Sequence, residues 1–410
     1  MHGTVTVNGA KNAVLPIMAA CLLTDEPSII EHVPHVTDVV SMIEILRRLG
    51  VSATFTGDRL TVSPGRYTGT VAPYDLVSRM RASICVLGPL LARQGKAQVS
   101  MPGGCVIGPR PIDLHLKGLQ ALGATFAIEH GYVVGSGAEL RGSRVHLSGA
   151  FGSSVLATAN VMMAATLAKG TTTIEHAACE PEVIDLANFL VAMGARIDGH
   201  GSPVIRVEGM PRLRGVQYRI ISDRIEAGTL MIATAIVGGD LTIEGARADH
   251  LGALIDKLSE ANVTIEKLNG SLRVTSSRPA QAVDVTTLPF PGFPTDLQAQ
   301  MMALMAVSRG VSVLTEKVYP ERFMHISELN RMGAAISREG SSAIVKGVER
   351  LSGAPVNASD LRASAALILA GMAAENQTEL GGLEHLDRGY QDLESQLVRL
   401  GAHIERITDE

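Results

Sequence analysis

Leu46-Arg-Arg-Leu-Gly50-Val51 is a phrase that this chain repeats, and the repetition decides its architecture. It returns as Leu119-Gln-Ala-Leu-Gly123-Ala124, Val191-Ala-Met-Gly194-Ala195, Leu258-Ser-Glu-Ala-Asn262-Val263, Leu329-Asn-Arg-Met-Gly333-Ala334 and Leu397-Val-Arg-Leu-Gly401-Ala402. Subtracting the Gly or Asn positions gives intervals of 73, 71, 68, 71 and 68 residues. Apolar residues that run up to Gly or Asn mark the end of a helix, where the backbone turns left-handed. A short β-like run is expected after each phrase, such as Ser52-Ala-Thr-Phe55 or Ala402-His-Ile-Glu405.

Upstream of each phrase lies a second periodic element, an apolar helix that closes on a turn and then a strand. Ala164-Ala-Thr-Leu-Ala-Lys-Gly-Thr-Thr-Thr-Ile-Glu175, Ala233-Thr-Ala-Ile-Val-Gly-Gly-Asp-Leu-Thr-Ile-Glu244 and Met305-Ala-Val-Ser-Arg-Gly-Val-Ser-Val-Leu-Thr-Glu316 are examples. Each unit therefore reads helix, strand, helix, strand, strand. The first helix is hydrophobic on nearly all sides, so it belongs inside the protein rather than at its surface. Six units over 410 residues predict an α/β protein of two domains, three repeats each, with buried helices surrounded by sheets. The division falls near Ile221-Ser222-Asp223, and no Pro/Ser-rich linker marks it. A six-unit α-solenoid is the alternative, and the β-rich third of each unit counts against it.

Composition excludes several classes. The chain has 46% hydrophobic and 19% charged residues, a net charge of −5, 3% aromatic residues and no Trp. A nucleic-acid surface is normally basic, and single strands stack on aromatic rings. No signal peptide and no membrane-length apolar run is expected. The cysteines at 21, 85, 105 and 179 form no CxxC pair, which predicts reduced thiols in a cytoplasmic protein. No metal is assigned, because His115, His176 and His325 share no ligand spacing, and no GxxxxGK[ST], GxGxxG, HExxH or GxSxG motif occurs.

The chemistry concentrates in two places. Met101-Pro-Gly-Gly-Cys-Val-Ile-Gly-Pro-Arg-Pro-Ile-Asp-Leu-His115 holds three glycines and three prolines, so it is a shaped loop that presents Cys105 five residues before Arg110. The buried helices open with polar signatures: Lys11-Asn12, Arg81-Ala-Ser83, Ser154, Asp223-Arg224, Thr295-Asp296 and Asp360-Leu-Arg362. Ser154, Asp223, Thr295 and Asp360 read equally well as plain N-caps. The cations Lys11, Arg81, Arg224 and Arg362 are disfavoured there by the helix dipole, unless an anion lies between dipole and cation.

With these residues in view, the chain resembles the UDP-N-acetylglucosamine 1-carboxyvinyltransferase family of enolpyruvyl transferases. The resemblance runs from about Gly3 to the C-terminus. It is carried by Asn8-Gly-Ala-Lys-Asn-Ala13, Met80-Arg-Ala-Ser83, Pro102-Gly-Gly-Cys-Val-Ile-Gly108, Arg110-Pro-Ile-Asp-Leu-His115, Glu180-Pro-Glu182, Asp223-Arg-Ile-Glu226, Phe293-Pro-Thr-Asp-Leu-Gln-Ala-Gln300, Glu321-Arg-Phe-Met-His325, Asp360-Leu-Arg-Ala-Ser364 and Asp387-Arg-Gly-Tyr390. It implies an inside-out α/β prism in each of two domains, with the active site in the cleft between them. The first domain would be 12–221, carrying a catalytic loop at 101–115, and the second 1–11 with 222–410.

The resemblance implies transfer of the enolpyruvyl group of phosphoenolpyruvate to the 3′-hydroxyl of UDP-N-acetylglucosamine, without a cofactor, at the opening of peptidoglycan synthesis. Lys11, Asn12, Arg110 and Arg388 would hold the phosphate of phosphoenolpyruvate, and Arg322 and Arg362 its carboxylate. Arg81, Pro111, Ile112, Asp113, Leu114, Asp296 and Val318 would line the sugar-nucleotide site, and Asp360 would complete the binding set. Asp296 would be the general base and Cys105 the general acid, with Lys11 and Arg388 assisting catalysis. The same thiol would be the target of the epoxide fosfomycin. The alternative is a family member acting on another nucleotide or on shikimate 3-phosphate. The chain departs from the family pattern at Gly152-Ser-Ser-Val-Leu156, where a lysine is absent and Leu stands for Gly. It departs again at Cys179 (usually Arg), Cys85 (often Trp) and Phe290 (often His).

Overall fold

The computed structural model describes residues 1–101 and 112–407. They form two compact units, one of residues 9–101 and 112–221, the other of residues 1–8 and 222–407. Residues 9–11, expected with the second domain, pack with 12–221 instead. Ala10 N donates to Ile221 O at 2.8 Å, and Lys11 Nζ donates to Asp38 Oδ2 at 3.0 Å, both inside that unit. Of the expected catalytic loop, residues 102–111 lie outside the described residues.

Each repeat contributes one inner helix. These are α1 (Lys11–Ala20), α2 (Leu87–Gln94), α3 (Val155–Ala165), α4 (Arg224–Val237), α5 (Gln298–Ala306) and α6 (Leu361–Ala373). Their all-round hydrophobicity has the expected consequence. Every residue of α5 is buried, as is α4 from Ile225 to Ile236. The helices α1 to α3 form the core of one unit and α4 to α6 that of the other. Truncating a fully buried side chain there, such as Met231 or Leu304, would cost about 2–5 kcal/mol.

The repeated phrase ends a second set of helices, Thr37–Arg48, Asp113–Ala121, Pro181–Ala192, Gly252–Glu260, His325–Arg331 and Leu393–Arg399. Each leaves one face to solvent. The second residue after each is left-handed as expected, with φ of 91° at Gly50, 101° at Gly123, 103° at Gly194, 65° at Asn262, 89° at Gly333 and 98° at Gly401.

Sheets wrap the inner helices. In the unit of residues 9–221, Ser28–Glu31 pairs antiparallel with Arg59–Ser63, which pairs in turn with Ser52–Thr56. The fourth strand, Gln217–Arg219, is parallel and comes from the end of the third repeat, so the three repeats close into a ring. Val71–Ala72 and Arg144–His146 play the same part for the next two sheets. The three-sided prism therefore follows from each repeat lending its last strand to a neighbour.

The other unit uses the chain's first residues for this purpose. His2–Thr6 lies parallel to Gly239–Glu244, and His2 N donates to Leu400 O at 3.2 Å. The strand expected at Ala402 does not form, because residues 402–407 have no pairing partner among the described residues. Arg406 anchors that segment instead, on Asp387 at 2.7 Å and Glu394 at 2.8 Å. Among the described residues no helix is long and apolar enough to cross a membrane.

Candidate active site

The six polar helix starts behave in three ways. Ser154, Asp223 and Asp360 are caps. The Ser154 hydroxyl accepts from Ala157 N, Asp223 from Ile225 N and Glu226 N, and Asp360 from Arg362 N and Ala363 N. Thr295-Asp296 and Arg81-Ala-Ser83 open with 3₁₀ turns (Thr295–Leu297 and Arg81–Val86) ahead of α5 and α2, and neither Thr295 nor Asp296 caps its helix. Lys11 begins α1 directly, behind an Ala with no side-chain cap.

For Lys11 and Arg362 the conflict between cation and helix dipole is met by carboxylates of the protein itself. Asp296 lies between two arginines in the unit of residues 222–407. Arg322 Nη1 donates to its Oδ1 at 2.8 Å, and Arg362 Nη2 donates to its Oδ2 at 3.0 Å. Both guanidiniums are nearly sealed, with Arg322 5% and Arg362 3% exposed, whereas 26% of the Asp296 side chain stays open. Desolvation works to raise the Asp296 carboxyl, but the two guanidiniums override it and hold the group well below the usual carboxylate range. In the other unit Lys11, 8% exposed, is paired with the buried Asp38.

Three further groups surround the arginines. Glu316, fully buried, accepts the hydroxyls of Thr287 (2.5 Å) and Thr295 (2.8 Å) and the amides of Val318 (2.8 Å) and Tyr319 (2.9 Å). It thus shapes the turn that presents Val318 and leads to Arg322, while Thr295 also accepts from Arg322 Nη1 at 3.2 Å. The Arg362 guanidinium sits over the Tyr390 ring at 5.4 Å, and the Tyr390 hydroxyl lies 2.8 Å from Thr229 Oγ1. His325 is 1% exposed beside Asp360 and Arg322. Burial pushes its imidazole down to about 4, Asp360 opposing and Arg322 assisting.

Asp296, Arg322, Arg362, Asp360 and Val318 thus gather in one unit, with Arg388 half-buried two residues before Tyr390. Lys11, Asn12, Arg81, Ile112, Asp113 and Leu114 belong to the other. There Asp113 is exposed at the start of the helix Asp113–Ala121, behind the buried Ile112. Cys105, Arg110 and Pro111 lie outside the described residues. The other three cysteines are poor nucleophiles. Burial pushes the Cys21 and Cys85 thiols up to about 12, and burial followed by Glu180 raises Cys179. Phe290, where the family often has His, packs against Arg224 at 5.8 Å.

Asp38, Glu316 and Tyr390 carry site geometry that sequence reasoning did not single out. A signal existed for Glu316. Glu31, Glu175 and Glu244 end strands, Glu316 follows the strand Val311–Thr315 at the matching place of the repeat, and of these four only Glu316 is buried. The signal for Asp38 was the dipole conflict at Lys11, which requires an anion from somewhere.

The sequence profile of the EPSP synthase (3-phosphoshikimate 1-carboxyvinyltransferase) family matches residues 1–397. The UDP-N-acetylglucosamine 1-carboxyvinyltransferase of Methylacidiphilum infernorum (isolate V4) is 51% identical over 407 residues, 99% of this chain and 96% of that protein. The one from Thermodesulfovibrio yellowstonii (strain ATCC 51303 / DSM 11347 / YP87) is 48% identical over 408 residues, 99% of this chain and 97% of its own. Among solved structures, the enolpyruvyl transferase NikO from Streptomyces tendae is similar with a TM-score of 0.89 at 26% identity, over 98% of this chain and 95% of that one. EPSP synthase from Acinetobacter baumannii shares the fold, with a TM-score of 0.75 at 18% identity over 98% of this chain and 96% of that one. Matched over nearly its whole length, the chain is a transferase that belongs to the enolpyruvyl transferase family, with UDP-N-acetylglucosamine 1-carboxyvinyltransferases as relatives sharing about half its residues.

Proposed function

We propose that this chain transfers the enolpyruvyl group of phosphoenolpyruvate to the 3′-hydroxyl of UDP-N-acetylglucosamine with release of phosphate, the first committed step of peptidoglycan synthesis, in the cytoplasm. The observation that carries this reading is the pair of buried guanidiniums of Arg322 and Arg362 converging on the carboxylate of Asp296. A fork of buried arginines suits a planar carboxylate ligand, and an acid beside it suits proton transfer.

The reaction is an addition followed by an elimination. Asp296 accepts the proton of the 3′-hydroxyl as its oxygen bonds to the central carbon of phosphoenolpyruvate, and Cys105 delivers a proton to the methylene carbon. Elimination then returns a proton from the resulting methyl group to the Cys105 thiolate, breaks the bond to the phosphate oxygen and restores the double bond, the phosphate leaving with the proton that Asp296 holds. Arg322 and Arg362 hold the carboxylate, while Lys11, Asn12, Arg110 and Arg388 hold the departing phosphate. Arg81, Pro111, Ile112, Asp113, Leu114 and Val318 seat the sugar nucleotide, and Asp360 supports the arginines through the start of α6. Cations already in place stabilise charge as it develops, without reorganisation at the moment of reaction.

Phosphate release from phosphoenolpyruvate, measured with a panel of acceptors, tests this. It should depend on UDP-N-acetylglucosamine. Equal or faster turnover with shikimate 3-phosphate or with UMP would overturn the acceptor and leave enolpyruvyl transfer standing.

A further inference from the structure

A carboxylate already occupies the place that the proposed function gives to the substrate's carboxylate. Asp296 takes one hydrogen bond from Arg322 and one from Arg362, and those are the two cations assigned to the ligand. We propose that Asp296 and the substrate carboxylate compete for one Arg322–Arg362 clamp, so that seating the anion is what releases Asp296 from the arginines for proton transfer. The inference rests on the reading that the chain binds phosphoenolpyruvate.

Three observations support competition over simple addition of a second anion. The guanidiniums have little room to serve both acceptors from new positions. Arg322 is nearly sealed and also bonded to Thr295, and Arg362 is nearly sealed and packed on the Tyr390 ring. Asp296 is the more open partner, so it is the group that can leave. Its neighbours also make that departure consequential. Asp296 faces Arg322 from the turn before His325–Arg331 and Arg362 from α6, while Asp360, His325, Glu316, Asp223 and Tyr390 stand behind those arginines. Desolvation is the strongest influence on the carboxyl and favours the proton, and the two guanidiniums are what oppose it. When another carboxylate takes over their hydrogen bonds, the raising influence is left dominant. The base is therefore weak in the empty site and strengthens once the electrophile is in place.

The test compares binding of two probes to the full-length protein by calorimetry. Phospholactate is saturated, so nothing can add to it, and it carries the carboxylate. Inorganic phosphate lacks the carboxylate. Asp296→Asn keeps the shape of the side chain but removes the competing charge. It should bind phospholactate about tenfold tighter than wild type, change phosphate affinity by less than about threefold, and lose turnover at least about 10²-fold. Asp296→Ser is a second variant with the same expectation, and thermal unfolding verifies that each is folded. Unchanged phospholactate affinity in the folded variants would overturn the competition. So would equal tightening of both probes, which would show only the loss of a nearby negative charge. If wild type bound no phospholactate and released no phosphate from phosphoenolpyruvate, the functional reading itself would fall.

Discussion

The two units carry the same repeat with opposite polar chemistry at matching places. Arg81 opens the 3₁₀ turn ahead of α2 in one unit, and Thr295-Asp296 opens the turn ahead of α5 in the other. The cap of α3 is the neutral Ser154, whereas that of α6 is Asp360. His115 and His325 each stand eight residues before the capping glycine, by subtraction from Gly123 and Gly333, and each is 1% exposed. Asn160 holds His115 at 2.8 Å, while His325 lies beside Asp360 and Arg322. Three residues past the first residue of the cap motif, α1 has Ala13 and α4 has the buried Glu226. Apolar positions thus repeat faithfully and make the prism twice, while the charged positions diverge and specialise each copy.

The largest expected effect tests the Ala13–Glu226 difference. Burial, reinforced by Asp223, pushes the Glu226 carboxyl up to about 8, although Gln396 and Asn8 donate to it at 2.9 and 3.0 Å. An acid raised in the folded state contributes full stability below its unfolded value of 4.5 and loses it as pH rises through about 8. Glu226→Gln lacks that titration. Its stability relative to wild type should grow by about 4 kcal/mol between pH 4.5 and pH 8 in urea unfolding. A constant difference across that range would mean that Glu226 folds in its charged form, and the contrast with Ala13 would lose its meaning.

Next comes the clamp. Arg362→Ala removes a buried cation that touches Asp296 and Tyr390, and kcat/KM for phosphoenolpyruvate should fall about 10²-fold, roughly 3 kcal/mol. Arg81→Ala, at the matching turn of the other unit, should instead raise KM for the sugar nucleotide and spare phosphoenolpyruvate. Identical kinetic profiles for the two variants would erase the specialisation inferred from their neighbours.

The histidines give the smallest effect and the sharpest test of local charge. Burial, assisted by Arg81, pushes His115 down to about 3, against about 4 for His325. A base lowered in the folded state leaves stability intact above its unfolded value of 6.5 and removes it as pH falls toward the folded value. Each should therefore cost about 2 kcal/mol between pH 6.5 and pH 5, and replacement by Gln should flatten that slope. Wild-type slopes in both variants would show that the imidazoles titrate normally.

Much of the architecture was legible in the chain alone. The capping Gly and Asn positions, the buried character of α1 to α6 and the three-plus-three division follow from local periodicity, since burial on all sides needs apolar residues on all sides. The expected strand at Ala402 failed for a non-local reason. A strand requires a partner, and the phrase that precedes it carries no information about whether one exists. The grouping of residues 9–11 with 12–221 was likewise decided by Asp38 and Ile221, both distant in sequence.

Of the site, the sequence by itself determined the residue types and their places at helix starts, and the resemblance supplied their roles. Only the tertiary structure decided which of those residues are caps and which are partners. Ser154, Asp223 and Asp360 bond to amides two or three residues ahead, an outcome that local spacing permits for Thr295 and Asp296 as well. Thr295 turns instead to Glu316, and Asp296 to Arg322 and Arg362, across 21, 26 and 66 residues of chain. Charge pairing acts over a few ångströms in space, and no sequence period records it. For Lys11 and Arg362, the anion that a cation at a helix start demanded proved to be a carboxylate of the protein itself, because folding brought one within hydrogen-bond distance.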